Sequence, residues 1–451
     1  MKFNLSNIKF GLSLFIVISV FWGCDNKLAP MNQYQVTPPD LSKRSVFESF
    51  SPDSGGIGTQ LIIRGKNFGS DPEYVTVTVN NKVAPIVRMD DEMIYAIVPA
   101  RADTGYVRLY IGKGDNVEEY ASDYKFRYQF KRNVTTMVGQ QGMKGRDDGP
   151  YAASKLQRTW FLLTDKDGTV FFIDEGRGTD KNGALRRARN GEVETLVQCS
   201  TGPFQSPTAL AFSPNQDTLY ISNYCFTDEE NTKTDFNILY VTREGGFVDV
   251  RGLSRGTKIG TTGIAVHPKT GEVFFSNKGD GYIWRYVGPG FEDYEKLFQV
   301  NNATSVETRM MFNPEGTILY VVVCNRHCIY KVPYDAATRT FGIPSLFVGA
   351  WDESGYMNGS GATVRLNQPR QPAFDEDGNM FVPEKSAHII RKITPAGVAS
   401  LYAGIPEQSG FGDGLPELAK FNSPECVTVY PDNSVYVADR ENHVIRRVTV
   451  E

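Results

Sequence analysis

Residues 398–451 read VASLYAGIPEQSGFGDGLPELAKFNSPECVTVYPDNSVYVADRENHVIRRVTVE, and they set the pattern for most of the chain. Short runs rich in β-branched and aromatic residues alternate with turn residues, which is typical of strands joined by hairpins. The predicted strands are Ser400–Tyr402, Cys426–Val429, Val435–Ala438 and Val444–Val448. Such a unit cannot bury both faces of its sheet alone, so it requires further copies of itself.

Copies of this unit recur from Asn133 onward, about fifty residues apart. The apolar residue that ends each first strand recurs at Leu163, Phe212, Val266, Phe312, Phe374 and Val429. Fourth strands are predicted at Glu194–Val197, Phe247–Val250, Glu295–Phe298, Ser345–Val348 and Ser400–Tyr402. Four-stranded sheets stacked radially form a β-propeller, and the repeats predict six blades, with five or seven as alternatives.

The last unit lacks a fourth strand of its own, because the sequence ends after its third strand. At the other end of the array, Val134–Val138 has the pattern of that missing strand. We predict that this segment completes blade six and closes the ring, which removes the exposed strand edges of an open array.

Residues 45–128 have a different organisation, with short predicted strands and turn signals about every ten residues. The strands are predicted at Gln60–Gly65, Val75–Val79, Ala84–Arg88, Met93–Val98, Gly105–Ile111 and Ser122–Phe126. This pattern predicts a β-sandwich.

Both parts of the chain resemble known families. SPDSGGIGTQLIIRGKNFG (51–69) and MIYAIVPARADTGYVRLYIG (93–112) resemble an immunoglobulin-like IPT/TIG domain. FGDGLPELAKFNSPECVTVYPDNSVYVADRENHVIRRVT (411–449) and MNGSGATVRLNQPRQPAFDEDGNMFVPEKSAHIIRKIT (357–394) resemble NHL repeats. The whole chain is similar to the IPT/TIG–NHL lipoproteins of Bacteroidetes-type envelopes, which are associated with carbohydrate handling. The resemblance implies an all-β fold, with an immunoglobulin-like sandwich (45–128) followed by an NHL propeller (129–451).

The N-terminus has the form of a targeting segment. Lys2 and Lys9 precede an apolar run, and Gly23 directly precedes Cys24. This pattern resembles the signal peptide of a bacterial lipoprotein (1–23), which implies that Cys24 is lipidated and that 24–44 is a flexible tether. The expected location is the cell envelope, anchored to the outer membrane on its periplasmic or cell-surface side.

Five cysteines follow Cys24, and an envelope compartment permits disulfides. Cys324 and Cys328 flank a hairpin turn, so a disulfide between them is allowed, although it would close only a small loop. Two buried thiols are an equally good reading of this pair. Ligation of a metal by this Cys-His-Cys segment lacks further ligands at suitable spacing.

Metal sites and nucleic-acid binding are poorly supported. The net charge of −4, with no basic cluster, argues against nucleic acid as a partner. His327, His388 and His443 share one repeat position, which favours a structural role over one metal ligand per blade. The acidic turns at 165–168 and 375–378 favour hairpins over calcium loops. We predict no cofactor, with calcium or zinc as the alternative.

The expected binding surface follows from propeller topology, because first strands begin and second strands end on the same face beside the channel. This face, with one neighbouring insertion, is predicted to gather charged, amide and aromatic side chains that suit a hydroxyl-rich ligand. The predicted ligand-binding residues are Arg158, Glu175, Tyr224, Lys278, Glu307, Asn325, Trp351, Tyr356, Arg370, Glu384, Glu425 and Asp439. Trp351 and Tyr356 form either a sugar-stacking platform or local packing.

These observations predict a binding protein whose propeller face recognises a glycan or an envelope protein partner, with the sandwich as a spacer. The alternative is a metal-assisted hydrolase or lyase acting in the channel. Since no nucleophile elbow or P-loop is found, no catalytic residue is assigned, and the sequence leaves open whether the protein is an enzyme.

Overall fold

The computed structural model describes residues 36–174, 183–198, 206–224, 236–255, 260–290 and 293–450. The chain divides into two compact units, Met1–Tyr128 and Gln129–Glu451. Within the described ranges both units consist of β-strands and short 3-10 helices, at Pro72–Tyr74, Cys324–Arg326, Gly361–Thr363 and Arg440–Asn442. No helix in these ranges is long and apolar enough to cross a membrane.

The first unit is a two-sheet sandwich. Its strands are β1 (Val46–Ser51), β2 (Ser54–Gly55), β3 (Gln60–Lys66), β4 (Val75–Val79), β5 (Lys82–Ala84), β6 (Ile86–Met89), β7 (Met93–Ile97), β8 (Gly105–Lys113) and β9 (Asn116–Tyr128). One sheet has the order β1-β3-β7-β6 and the other β2-β9-β8-β4-β5. Alternate residues point inward, so Leu61 and Ile63 of one sheet meet Val77 and Leu109 of the other in a single core.

Part of the predicted tether is ordered against this sandwich. The Thr37 carbonyl accepts a hydrogen bond from the Ser70 N–H (2.7 Å), and the Asp40 N–H donates to Asn67 Oδ1 (2.9 Å). Asn67 Nδ2 in turn donates to the carbonyls of Asp40 and Lys43, both at 3.0 Å. The prediction of a flexible tether up to residue 44 is therefore wrong for residues 37–44. The signal peptide, Cys24 and the rest of the tether lie outside the described residues.

In the second unit, the described residues form six antiparallel sheets, which we number as blades 1–6 in chain order. The unit begins with β10 (Arg132–Val138), and within each blade the strands follow one another from the innermost to the outermost, apart from the short β11, β27 and β29. Blade 1 contains β11 (Gly149–Pro150), β12 (Thr159–Thr164), β13 (Val170–Asp174), β14 (Ala184–Arg189) and β15 (Glu192–Gln198); blade 2 contains β16 (Pro207–Phe212), β17 (Thr218–Asn223), β18 (Phe236–Thr242) and β19 (Arg251–Arg255); and blade 3 contains β20 (Thr261–Val266), β21 (Val273–Asn277), β22 (Tyr282–Tyr286) and β23 (Tyr294–Gln299). Blade 4 contains β24 (Thr308–Phe312), β25 (Ile318–Val323), β26 (Cys328–Asp335), β27 (Thr340–Phe341) and β28 (Ser345–Gly349); blade 5 contains β29 (Gly359–Ser360), β30 (Ala373–Phe374), β31 (Met380–Glu384), β32 (Ile389–Ile393) and β33 (Val398–Ala403); and blade 6 contains β34 (Pro424–Val429), β35 (Val435–Asp439) and β36 (Val444–Val450).

Blade 6 takes its fourth strand from the start of the unit. Strand β10 pairs antiparallel with β36, and Val134 lies opposite Val448. Val134 and Gly414 also exchange two backbone hydrogen bonds of 2.8 Å, which attach β10 to the segment that leads into blade 6. The prediction that Val134–Val138 closes the ring is confirmed.

The apolar core of the propeller lies between neighbouring blades, because each sheet is covered by the next. Phe171 of blade 1, for example, packs edge-on against Phe212 and Phe247 of blade 2, with ring centroids 5.6 and 4.8 Å apart. Phe247 sits in a turn with φ of 64°, and the fourth strand of blade 2 is Arg251–Arg255. The prediction of a strand at Phe247–Val250 is therefore wrong. Phe247 lies in a turn, and from there its ring packs at the interface between blades 1 and 2.

Candidate functional site

A network of buried charges joins three blades at the face where first strands begin. Nη1 of Arg370 lies 2.8 Å from Oε1 of Glu307, and its Nε lies 3.0 Å from Oε2 of Glu425. All three side chains are at most about one-eighth exposed. The structure thus brings together three of the predicted residues, one each from the segments that open blades 4, 5 and 6.

Two cations that the sequence analysis missed belong to the same network. Nζ of Lys385 lies 3.5 Å from Oε1 of Glu425, and Nη2 of Arg309 lies 3.5 Å from Oε1 of Glu307. Arg309 also donates to the Thr262 carbonyl at 2.6 Å, which links blade 4 to blade 3. Burial opposes the charge of Arg370, but the carboxylates of Glu425 and Glu307 raise its pKa above the ordinary value. We call these five residues (Glu307, Arg309, Arg370, Lys385, Glu425) the axial network.

A second group of charges, from blades 6 and 1, lies close enough to Lys385 for Arg440 to affect its pKa. Arg158, a predicted residue, pairs with Glu441 at 3.2 Å, and Arg440 pairs with the same carboxylate at 2.6 Å. The Arg440 guanidinium also stands over the Trp160 ring, 4.8 Å from its centroid. Burial lowers the pKa of Lys385, whereas the carboxylate of Glu425 raises it. The positive charges of Arg370 and Arg440 lower this pKa further. We call the axial network together with Arg158, Arg440 and Glu441 the charged mouth.

Glu384 and Asp439, both predicted ligand-binding residues, are buried inside their blades and do not face the channel. Each ends a second strand and pairs with an arginine on the third strand, Glu384 with Arg391 (3.4 Å) and Asp439 with Arg446 (3.0 Å). Asp174 and Arg186 form the same pair in blade 1 at 2.8 Å.

These carboxylates fix the segment that enters the first strand. Glu384 accepts from the Asn367 N–H at 2.7 Å, and Asp439 accepts from the Asn422 N–H at 2.7 Å. Their prediction as ligand-binding residues is therefore wrong, and the side chains that reach the mouth are those one position later, Lys385 and Arg440. The sequence contains a signal for these buried pairs, because an arginine lies seven residues after Glu384 and seven residues after Asp439.

Tyr224, Lys278 and Asn325 lie around the ends of the second strands of blades 2–4. The Tyr224 ring lies directly over Gly260, where a Cβ atom would come within 1.9 Å of it. The Lys278 N–H donates to the Gly260 carbonyl at 3.2 Å. Asn325 accepts from the Glu307 N–H (2.9 Å) and donates to the Ser305 carbonyl (3.0 Å), so its amide holds the start of blade 4 in place.

Trp351 and Tyr356 pack onto third strands. The Trp351 ring meets Tyr330 edge-on at 6.3 Å and lies beneath the Arg326 guanidinium, and Tyr356 lies 4.9 Å from the guanidinium carbon of Arg391. These contacts correspond to the local-packing alternative and do not form a platform beside the axial network. The predicted residue Glu175 and the insertions at 175–182 and 225–235 lie outside the described residues.

The three repeat histidines bind the backbone of the following blade. Each has φ of 60° at the turn before its third strand. Nδ1 of His327 accepts from the Gln368 N–H and Nδ1 of His388 from the Ser423 N–H, both at 3.1 Å, and Nδ1 of His443 donates to the Gln157 carbonyl. The structural interpretation of these histidines is confirmed.

Both acidic turns are hairpins, as predicted. The Asp165 carbonyl accepts from the Gly168 N–H (3.1 Å), and Asp375 Oδ1 accepts from the Asn379 N–H (2.8 Å). In the described part of the chain, no three His, Cys, Asp or Glu side chains are grouped so that they would hold a metal ion.

Cys324 and Cys328 are free buried thiols, so the disulfide that their spacing allowed is not formed. Cys324 packs in the apolar cluster of Val322 and Ile329, whereas Cys328 packs with Val321 and Val323 in another cluster. The two side chains thus belong to opposite faces of the blade 4 sheet. Burial raises the pKa of Cys324 to about 11 and that of Cys328 to about 12, which keeps both protonated.

Comparison with known proteins supports this architecture. Residues 45–128 match the IPT/TIG domain model, and residues 421–447 match the NHL repeat model. The chain is similar to the crystal structure of an auxiliary nutrient binding protein from Bacteroides thetaiotaomicron, with 27% identity, a TM-score of 0.64 and coverage of 92% of this chain and 99% of that chain. An auxiliary nutrient binding protein from Bacteroides ovatus is 24% identical, with a TM-score of 0.67 and coverage of 92% and 100%, which supports the fold alone.

Among curated proteins, Protein SUPPRESSOR OF QUENCHING 1, chloroplastic, from Arabidopsis thaliana is 23% identical over 270 residues. The match covers 54% of this chain and only 25% of that protein's length. The chain therefore carries an IPT/TIG domain at residues 45–128 and an NHL repeat at residues 421–447 of a β-propeller, and its structural neighbours are Bacteroides proteins of the same architecture.

Proposed function

We propose that the protein is a binding protein and that its charged mouth recognises a glycan carrying acidic groups. The observation that supports this proposal is the convergence of the charged mouth at one end of the channel. Charged groups that are fixed by their neighbours offer directed hydrogen bonds to sugar hydroxyls and carboxylates at little cost in side-chain entropy. Arg158 and Glu441 are the members most accessible to a ligand, at 36% and 27% side-chain exposure.

The preference for an acidic glycan follows from the local charge balance. The charged mouth contains five cations (Arg158, Arg309, Arg370, Lys385 and Arg440) and three carboxylates (Glu307, Glu425 and Glu441). The site therefore carries a surplus of positive charge, whereas the whole chain has a net charge of −4. A cationic mouth on an acidic protein attracts anionic ligands in preference to the rest of the surface.

The solved neighbour supports a binding role. The Bacteroides thetaiotaomicron protein, which aligns with 92% of this chain, is described as an auxiliary nutrient binding protein. By extension, we propose that the present protein captures a carbohydrate nutrient at the cell envelope, where a lipid on Cys24 anchors it to the outer membrane. In this arrangement the sandwich is a spacer between the membrane and the propeller.

The proposal is tested by thermal shift and calorimetry of the purified protein against neutral and uronate-containing polysaccharides. A ligand that binds only the native state stabilises it by about 2.7 kcal/mol at 100 times its dissociation constant, which is measurable. We expect an uronate-containing glycan to raise the melting temperature and a neutral glycan to do so less. Lys385→Ala should weaken binding, and Lys331→Ala, on the exposed outer part of blade 4, is the matched control.

Two outcomes would overturn the proposal. If no glycan binds, or if Lys331→Ala weakens binding as much as Lys385→Ala does, the charged mouth is not the glycan site. If calcium or zinc alone stabilises the protein and the glycan is cleaved, the alternative of a metal-assisted hydrolase or lyase would replace the binding role.

A further inference from the structure

Two histidines hold the segments that lead into the first strands of the following blades. Nδ1 of His327 in blade 4 accepts from the Gln368 N–H, and Nδ1 of His388 in blade 5 accepts from the Ser423 N–H, both at 3.1 Å. Each bonded amide lies two residues before a member of the axial network. A histidine of one blade therefore fixes the backbone from which the next blade presents its charge to the mouth.

We call residues 367–370 and 422–425 the entry segments of blades 5 and 6. Gln368 and Ser423 both have φ of 55°, in the left-handed region that residues other than glycine adopt at a cost in free energy. In each segment the preceding N–H donates to a buried acid of its own blade at 2.7 Å. Two successive N–H groups are thus held by side chains, and the costly conformation depends on both acceptors.

The third repeat histidine makes the opposite kind of contact. Nδ1 of His443 donates to the Gln157 carbonyl at the start of blade 1. A protonated imidazole still donates from Nδ1, so acid leaves this contact intact. At the other two histidines Nδ1 is the acceptor, and a proton there would set one N–H against another.

We propose that His327 and His388 form an acid-sensitive release for the charged mouth, in which protonation of Nδ1 breaks the hydrogen bonds to the entry segments and frees a bound ligand. Arg370 and Glu425 then lose their fixed positions, whereas Arg158 in blade 1 keeps its own. The release of a ligand rests on the proposed binding function, but the loosening of the entry segments does not require a ligand.

The environment of both histidines favours this response. Burial lowers the pKa of each below 6.5, and at His327 the carboxylate of Asp352 opposes this shift while Arg326 adds to it. The ionisable neighbour of His388 from the following insertion is Glu407. The held state thus binds a proton less readily than the released state, so the hydrogen bonds are intact above about pH 6.5 and are lost as the pH falls through the lowered pKa.

Two carboxyl groups face the entry segments and titrate in the same interval. Burial raises the pKa of Glu384 to about 7 and that of Asp439 to about 6. A protonated carboxyl group keeps an acceptor oxygen for the Asn367 or Asn422 N–H, so acid does not remove these hydrogen bonds. The response to acid therefore comes from the histidines.

Amide hydrogen exchange of the purified protein without ligand, followed by mass spectrometry, tests the loosening. We expect the peptides that contain Gln368 and Ser423 to lose about 2- to 12-fold in protection between pH 8 and pH 5, after correction for the intrinsic exchange rate, which is the range of one hydrogen bond. His327→Asn/His388→Asn should remove most of this change, because asparagine tolerates the left-handed region and its acceptor does not titrate. His443→Asn is the matched control and should respond as the parent does.

Binding of a uronate-containing glycan gives a second readout, with a sign of its own. Uronate carboxylates stay ionised at pH 5 and pH 8, as ordinary carboxylates do. Protons added to the protein make the mouth more positive, which by itself would tighten binding of this anion at pH 5. The release predicts the reverse in the parent, namely weaker binding at pH 5, and predicts no such weakening in His327→Asn/His388→Asn.

The proposal is overturned if acid leaves the exchange of both peptides unchanged, if the double variant responds as the parent does, or if the parent binds the glycan more tightly at pH 5. If no glycan binds at either pH while exchange responds as expected, the proposed binding function fails and the acid-sensitive hold on the entry segments stands.

Discussion

Arg370 of blade 5 pairs with Glu425 of blade 6 at 3.0 Å, and both side chains are almost completely buried. The same guanidinium contacts Glu307 of blade 4 at 2.8 Å, so one side chain neutralises carboxylates from both neighbouring blades. A buried ion pair adds little net stability relative to apolar packing, but removal of one partner leaves an uncompensated charge. Arg370 is therefore the cation of the axial network that contacts carboxylates from both neighbouring blades.

Arg370→Met should destabilise the protein by about 3–5 kcal/mol, because Glu307 and Glu425 would stay buried with only their longer contacts of 3.5 Å to Arg309 and Lys385. Chemical denaturation measures this loss. The double variant Arg370→Met/Glu425→Gln should recover part of it, since one of the two carboxylates that lost the arginine is removed. Additive effects of the two substitutions would contradict the coupling that the 3.0 Å contact implies.

The second prediction concerns the pH dependence of stability through Glu384. Burial raises the pKa of Glu384 from 4.5 to about 7, and Arg391 lowers it only in part. The folded state therefore binds a proton more tightly than the unfolded chain, so this group stabilises the fold at low pH and that contribution is lost as the pH rises from about 4.5 to 7.

Glu384→Gln should reduce that loss by about 1–3 kcal/mol across the interval, measured by denaturation at a series of pH values. Glu194→Gln replaces an exposed carboxylate on blade 1 and should keep the slope of the parent protein. An unchanged slope in Glu384→Gln would show that this carboxyl does not titrate in the interval.

His388 gives a prediction for the interface between blades 5 and 6. Its Nδ1 accepts from the Ser423 N–H at 3.1 Å, and its backbone is left-handed, with φ of 60°. His388→Ala removes the acceptor and places a residue poorly suited to this conformation, so we expect a loss of about 1–2 kcal/mol. His388→Asn should lose less, because asparagine tolerates the left-handed region and keeps an acceptor.

Protonation of His388 has a predictable sign. Burial lowers its pKa below 6.5, so the unfolded chain binds the proton more readily than the folded protein. The stability from this side chain is therefore lost as the pH falls through about 6.5, and His388→Asn should lack that contribution. Equal acid sensitivity of the parent and His388→Asn, in denaturation at pH 5 and pH 8, would contradict the assignment.

The fourth prediction concerns the thiols of blade 4. Cys324 and Cys328 are free and buried, and their raised pKa values keep them as poorly reactive thiols. Alkylation in denaturant without reductant, followed by peptide mass spectrometry, should label both residues. Recovery of an unlabelled peptide that contains the pair, labelled only after reduction, would instead show a disulfide.

The fold was largely predictable because its signals are local and repeated. Each hairpin of blade 6 contains its own alternation and turn residues, and Val134–Val138 matched the missing strand closely enough to predict its pairing with β36. Prediction was less reliable where a side chain acts on a neighbouring blade. The ring of Phe247 packs against Phe171 from a turn, although the sequence pattern around Phe247 is typical of a strand.

The site was predicted only in part, because a shift of one residue at a strand end reverses which side chain is buried. The sequence alone determined the repeat, the sandwich and the face on which Arg370, Glu307 and Glu425 meet. Only the tertiary structure decided that Glu384 and Asp439 pair with Arg391 and Arg446 inside their blades, and that Lys385 and Arg440 lie at the mouth instead. Local propensity specifies a strand, but the partner of a buried charge is fixed by packing between blades, which no single segment of the sequence contains.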